Sequence, residues 1–397
     1  MHRTVFLIAA VCIAMPMIAT CASDKKIFCY FASWSVYRPG KGNFDISEDI
    51  DPFLCTHLVY AFVGLKNNEV NVLDPWGDLP PNYLGGGRNG FGKFNDLRKK
   101  NPNLKTLVAI GGWNEGSKQY SSMANNAKYR EHFAADAAKF VIKHGFNGMS
   151  LDWEYPAQNG GAPEDVVNYI ELLKILRIHF NKNKLILSAA VAPTEYSASL
   201  SYNISQMVKY LNYVHLMTYD FHTSSEQKTN LHAPLYPGSE EPSNHKQANV
   251  QASVKYWLSQ GCPKEKLIMG IPTYGRSFTL CDPAKNSIGA DACGPGDAGP
   301  YTRQPGMLGY NEICKLLHQP GQSWDAKYEY EREFQYASSQ SQWISYESFL
   351  TVKPKGAFIN KFNLGGAMVY SIDTDDFKGT CYGKYSILTD LNKTIRN

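Results

Sequence analysis

In the stretch FNGMSLDWEYP, Phe146–Pro156, two carboxylates, Asp152 and Glu154, stand two residues apart beside an aromatic and a proline. On an extended chain such a pair projects to one side, so both acids address the same volume. One can then give or take a proton while the other steadies developing charge. The plainer alternative for Asp152, a buried carboxylate tied to backbone amides at a strand end, stays open at this point.

A pair of this kind needs a strand to hold it, and the chain offers eight: IFCYFAS from Ile27, THLVYAFV from Thr56, KTLVAIGG from Lys105, GMSLDW from Gly148, LILSAAVA from Leu185, YVHLMTYD from Tyr213, LIMGIPTY from Leu267 and GGAMVYSI from Gly365. Amphipathic stretches lie between most of them, such as YREHFAADAAKFVIKHG and PEDVVNYIELLKILRIHF. In the second, Val166, Ile170, Leu173 and Leu176 recur at helical spacing. Strands alternating with helices favour a parallel α/β fold. A closed (β/α)8 TIM barrel leaves no edge strand. An open doubly wound sheet is the alternative, but YFASWSVYRPG after the first strand is not a glycine-rich dinucleotide loop. Between strands 7 and 8, a Gly-, Pro- and Cys-rich tract and a tyrosine-rich tract predict a small α+β insertion domain over about residues 276–355.

In a barrel, catalytic groups occupy the C-terminal strand ends. Period 2 then points Ser150, Asp152 and Glu154 inward and Met149, Leu151 and Trp153 toward the helices. Other strand ends supply Tyr30, the run Gly111-Gly112-Trp113-Asn114, and the run Met217-Thr218-Tyr219-Asp220, with Tyr370 on the last strand. Carboxylates converging in an aromatic cup are what cleavage of a glycosidic bond uses: an acid for the leaving oxygen and a flat face for the sugar.

The wider composition agrees. Aromatics make up 13% of the 397 residues, and the net charge of +4, without a long basic run, points away from nucleic acid and from anionic membranes. Charge, an apolar run and small residues through Ala22 predict a cleaved signal peptide over 1–22, with residues 23–397 secreted to the extracellular space; a membrane anchor is the alternative. Nine cysteines become seven once Cys12 and Cys21 leave, which suggests disulfides and one spare thiol rather than a metal site. Of these, Cys281–Cys293 is expected to close a Gly-rich loop. Asn203 and Asn392 head N-glycosylation sequons.

From about Lys25 to Asn392, the segments CYFASWSVYRPGKGNFDISEDIDPFLCTHLVYAFVGL, LVAIGGWNEGS, LDWEYP, LMTYDFH, GIPTYGRSFTL and GGAMVYSIDTDDF resemble the family 18 glycoside hydrolases, the chitinases and chitinase-like lectins of animals. The tract LDPWGDLPPNYLGGGRNGF is similar to arthropod members. The family signature D-G-x-D-x-D-x-E reads here from Asn147 to Glu154, so the last two acids are kept while Asn147 and Ser150 replace the first two. Tyr370 stands where the family has a tryptophan flooring the cleaved sugar's subsite.

The resemblance implies a retaining, substrate-assisted mechanism on chitin or chitooligosaccharides, without cofactor or metal and with the protein acting as a monomer. Glu154 would be the acid/base, Asp152 would orient the substrate's acetamido group, Tyr219 would bind its oxygen, and Asp220 would hold the distorted sugar. Tyr30, Phe62, Asp74, Gly111, Gly112, Trp113, Asn114, Tyr155, Met217, Thr218, Tyr274, Arg276 and Tyr370 would contact substrate. It also implies disulfides Cys29–Cys55 and Cys314–Cys381, which with Cys281–Cys293 leaves Cys262 free. Without a carboxylate at Ser150, Asp152 loses a like-charge neighbour and is expected to ionise more readily. Two functions follow: a secreted endochitinase, favoured by Glu154, or a non-catalytic chitin-binding lectin or growth-factor-like protein, favoured by Asn147, Ser150 and Tyr370.

Overall fold

The computed structural model describes residues 25–242, 245–321 and 323–396. The signal peptide expected over 1–22, with Cys12 and Cys21, lies outside the described residues. Eight parallel strands form the centre: β1 (Lys26–Ala32), β2 (His57–Lys66), β3 (Lys105–Gly111), β4 (Gly148–Asp152), β5 (Ile186–Val191), β6 (Tyr213–Leu216), β7 (Leu267–Pro272) and β8 (Gly366–Tyr370). Each pairs with its sequence neighbour, and β1 pairs with both β2 and β8, which closes the (β/α)8 barrel. The open-sheet alternative is thereby excluded.

Closure follows from the strand sequences. Near-continuous apolar runs such as that of β1 need cover on both faces. The alternation sorts side chains into two apolar clusters. Phe28, Val59, Leu107, Ile268 and Met368 fill the barrel, while Ile27, Leu58, Val108, Leu151 and Val214 pack under the helices. Each such fully buried side chain contributes about 1.5–3 kcal/mol. Met149, Leu151 and Trp153 fall in the outer cluster, as the period-2 reading requires.

Among the covering helices, Ala127–Lys143 starts at Asn126, whose side chain accepts hydrogen bonds from the N–H groups of Lys128 and Tyr129. In the helix Asp165–Lys182 the buried face is rotated from the one expected. Tyr169, Leu172, Leu173, Leu176 and Phe180 are buried, and Val166 and Ile170 only half-buried, because the tyrosine packs on Trp153 beneath it.

The chain leaves β7 into an antiparallel sheet opened by Tyr274–Leu280. Its strand order is Ala292–Pro295, Tyr274–Leu280, Gln342–Tyr346, Phe334–Ser339 and Asp325–Glu329, with Met307–Gly309 also paired to Tyr274–Leu280. The helix Tyr310–Leu317 completes this α+β wall. Disulfides join Cys29 to Cys55, Cys281 to Cys293 and Cys314 to Cys381, as expected, and Cys262 is buried and free. Among the described residues no helix is long and apolar enough to cross a membrane.

β6 ends earlier than its sequence suggested. It stops at Leu216, and Met217–Asp220 leaves the ladder through tight turns, the Thr218 and Tyr219 N–H groups bonding back to Leu216 and Met217. Asp220 ends this turn at a φ of 58°. The sequon residues also differ. Asn203 is exposed at a helix start, whereas the Asn392 amide donates to the carbonyls of Leu54 and Leu388 inside the C-terminal helix.

Candidate active site

At the end of β4, Ser150 and Asp152 point into the barrel and are buried. Neighbouring β3 must pass close to them: the Gly112 N–H donates to the Asp152 carbonyl at 2.8 Å. A Cβ on Gly111, whose φ is 115°, would stand 2.3 Å from that same carbonyl, so only glycine fits. The Asp152 carboxylate accepts from the Ser150 hydroxyl at 2.7 Å and lies 3.5 Å from the Tyr30 hydroxyl. Tyr30 in turn sits 2.9 Å from Ser150 Oγ and 2.9 Å from His215 Nδ1.

Burial pushes the Asp152 carboxyl up to about 7, against the hydrogen bonds from Ser150, the Ala190 backbone and Tyr30. This corrects the expectation of a readily ionised Asp152: losing a like-charge neighbour matters less than losing water. Burial, and then the charge of Asp152, push Glu154 up to about 8, while bonds from the Tyr155 hydroxyl and the Trp113 backbone oppose the rise. Glu154 is therefore the more proton-retentive of the two.

Asp220 has the opposite environment. Burial alone would raise its carboxyl, but the Arg276 guanidinium grips it with two bonds, Nε to Oδ1 at 2.7 Å and Nη2 to Oδ2 at 2.5 Å. Net, Asp220 is held well below the usual carboxylate range. Arg276 is carried on the first strand of the insertion, so the ion pair spans barrel and insertion.

Aromatic rings surround these acids. Tyr370 lies 5.7 Å from Tyr30 and 5.9 Å from Tyr219, centroid to centroid, the second nearly parallel, and Tyr274 sits edge-on to both Tyr219 and Tyr370. At the mouth, Trp113 is 63% exposed, Asn114 is exposed, and Phe62 stacks under Trp34, which is 47% exposed. The geometry thus gathers Asp152, Glu154, Tyr155, Asp220, Tyr30, Tyr219, Tyr274, Arg276 and Tyr370, with Phe62 and Trp113 at the rim.

Other expected contacts have local tasks. Asp74 caps the helix Pro75–Asp78 through the Gly77 N–H and accepts from the Tyr37 hydroxyl, which uses both its oxygens. Thr218 donates to the Gly270 carbonyl, and Met217 packs in the barrel cluster. Trp34 and His215 escaped the sequence reading; Trp34 lies two residues past the end of β1, the one signal that pointed to it. Among the described residues, Cys314, Asp376 and Cys381 stand at metal-ligand spacing, but both sulfurs are in a disulfide.

Comparison with known proteins agrees with this architecture. The family described as Glycosyl hydrolases family 18 matches residues 26–375. The chain is 39% identical over 368 residues to "Probable chitinase 2" of Drosophila melanogaster, covering 90% of this chain and 74% of that protein. Among solved structures, the Ostrinia furnacalis Group IV chitinase superposes with a TM-score of 0.90 at 41% identity, covering 94% of this chain and 100% of that one. Human YKL-39, described as a pseudo-chitinase with retained chitooligosaccharide binding properties, superposes at 0.85 with 34% identity, over 94% of this chain and 100% of its own.

Proposed function

The chain belongs to glycosyl hydrolase family 18, and from that premise we propose that it is a secreted endochitinase that cleaves the β-1,4 bonds of chitin by a retaining, substrate-assisted route. The observation that carries this reading is Glu154, kept at the strand end and raised to about 8, so that it holds a proton at neutral pH.

Glu154 gives that proton to the glycosidic oxygen as the bond to the anomeric carbon breaks. The substrate's acetamido carbonyl attacks the same carbon from the other side and closes an oxazolinium ring. Asp152 turns the acetamido group into position and offsets its positive charge, with the Tyr219 hydroxyl on the acetamido oxygen. Asp220, fixed by Arg276, holds the distorted sugar, and Tyr370 stacks beneath it. Glu154, now ionised, takes a proton from water as the ring opens. Three disulfides support export to an oxidising compartment. Glycosylation is assigned to Asn203, whose side chain is open to solvent. The protein acts as a monomer, with residues 23–397 as its mature chain.

The second reading, a chitin-binding lectin on the same scaffold, is favoured by Ser150, Asn147 and Tyr370 together. Hydrolysis of a fluorogenic chitooligosaccharide, wild type against Glu154→Gln, separates the two. Equal background rates with chitin binding intact in both proteins establish the lectin.

A further inference from the structure

We propose that His215, Tyr30, Ser150 and Asp152 form one proton relay, in which the tautomer of His215 and the protonation state of Asp152 change together. The tautomer coupling stands on geometry alone; its bearing on catalysis rests on the hydrolase reading above.

The four groups come from β6, β1 and β4 and lie in series across the barrel interior. Nδ1 of His215 is 2.9 Å from the Tyr30 hydroxyl, which is 2.9 Å from Ser150 Oγ, which is 2.7 Å from Asp152 Oδ1. His215 and Ser150 are 0% exposed, Tyr30 1% and Asp152 3%, so these groups satisfy one another rather than water. Each hydroxyl has a single proton to donate, and this fixes the direction of every link once one end is set.

With Asp152 ionised, Ser150 donates to the carboxylate, Tyr30 donates to Ser150, and His215 donates from Nδ1 to Tyr30. With Asp152 protonated on Oδ1, the carboxylic acid donates to Ser150, Ser150 to Tyr30, and Tyr30 to Nδ1, so the ring proton resides on Nε2. The second state holds one proton more. That proton comes from solvent and ends on Nε2, while the Nδ1 proton passes to Tyr30, the Tyr30 proton to Ser150, and the Ser150 proton to Asp152. Nε2 has no hydrogen-bond partner among the described residues, so each tautomer leaves the same buried atom unpaired. Neither tautomer is then locked by a second bond, and the direction of the chain decides between them.

The surroundings keep the ring neutral. Burial, and then His57 on β2, hold His215 down to about 3. Around Asp152 stand Glu154 and Tyr155 from its own loop, Tyr120 and Tyr169 from two covering helices, and Tyr370 from β8. Among these, only Glu154 titrates in the range of Asp152, and its own carboxyl signal distinguishes it. A carboxylate in place of Ser150 would bring its own charge into the chain; the serine passes direction without adding charge.

The test is a pH titration of the whole protein by nuclear magnetic resonance, reading carboxyl ¹³C of Asp152, assigned with Asp152→Asn, and ring ¹⁵N of His215. Between about pH 5 and 9, the two ring nitrogens are expected to exchange protonated and unprotonated character at the Asp152 midpoint, without the ring becoming cationic. Tyr30→Phe removes a donor to the ionised side. It should uncouple the two signals and raise the Asp152 midpoint by about half a pH unit or more. Ser150→Ala, a smaller change, removes the closer link and leaves only the 3.5 Å contact from Tyr30 to Asp152, so it should weaken the coupling. A His215 held in one tautomer across the Asp152 titration overturns the relay, as does coupling that survives Tyr30→Phe or is left undiminished by Ser150→Ala. Neither reading uses substrate, so an inactive protein with coupled titrations keeps the relay and loses the hydrolase, and an active one with a fixed tautomer does the reverse.

Discussion

Two sides of one cleft hold carboxylates in opposite states. On the β4 side, Asp152 is buried and Glu154 half-buried, with hydroxyls and backbone amides for partners and no cation among the described residues, and both are raised toward neutrality. On the β6 side, Asp220 is gripped by Arg276 and stays ionised. The residue types are alike; the partners differ. Under the proposed mechanism, the group that moves a proton is kept short of charge stabilisation, and the group that holds the sugar is given a fixed counter-ion. The division also follows architecture, since β4 is a barrel element alone while Arg276 is lent by the insertion.

The largest expected effect breaks the β4 side. Glu154→Gln should lower turnover of a soluble chitooligosaccharide by on the order of 10²–10⁴-fold while the dissociation constant stays nearly unchanged, since the amide keeps the shape without supplying the proton. Restoring a carboxylate through Ser150→Asp should raise turnover and move the acid limb of the pH–rate profile, because Asp152 regains a proton-sharing neighbour. In the wild type that profile should be a narrow bell, rising as Asp152 ionises at about 7 and falling as Glu154 ionises at about 8.

Stability should depend on pH with opposite slopes on the two sides. Asp152 titrates at 3.8 when unperturbed and at about 7 when folded, so the folded chain retains a proton that the unfolded chain has lost. Its contribution is full below the unfolded value and declines as pH rises through about 7, by a few kcal/mol in all. Asp220 is lowered, so its contribution is present above the unfolded value and is lost as pH falls below it. Urea midpoints across pH check both: Asp152→Asn should flatten the neutral-side decline, and Asp220→Asn the acid-side loss.

Arg276→Met should cost about 2 kcal/mol in the same unfolding experiment, less than for a fully buried pair because the Asp220 side chain is 33% exposed. An unchanged urea midpoint would mean that the ion pair adds nothing measurable between barrel and insertion. The smallest effect belongs to Tyr370→Trp, which should tighten chitooligosaccharide binding by about 1 kcal/mol through added stacking area. Calorimetry showing affinity and rate both unimproved would remove Tyr370 from the sugar-binding floor.

Much of this arrangement could be read from the residues in order. The eight strands follow from short apolar runs set between helical patterns, and the inward set Ser150, Asp152 and Glu154 from period 2. Two cysteine pairs came with the family resemblance and the third from its Gly-rich loop, which left Cys262 over. The readings that failed depend on tertiary contacts. Trp153 beneath Tyr169 turned the face of Asp165–Lys182. Tight turns, not extended chain, carry Asp220 to Arg276. The ionisation of Asp152 depends on water removed by neighbours distant in sequence. The link from His215 to Tyr30 joins two strands 185 residues apart, and no local pattern announces it.

The disulfide Cys314–Cys381 has a mechanical meaning. The insertion is anchored where it leaves β7 and where it rejoins the barrel at β8. The bridge adds a third point by fastening the helix Tyr310–Leu317 to the segment beyond β8. A panel mounted at three points does not swing. The wall bearing Tyr274 and Arg276 therefore acts as the fixed jaw of a vice rather than as a closing lid, and under the proposed function the sugar chain, not the wall, must bend to fit.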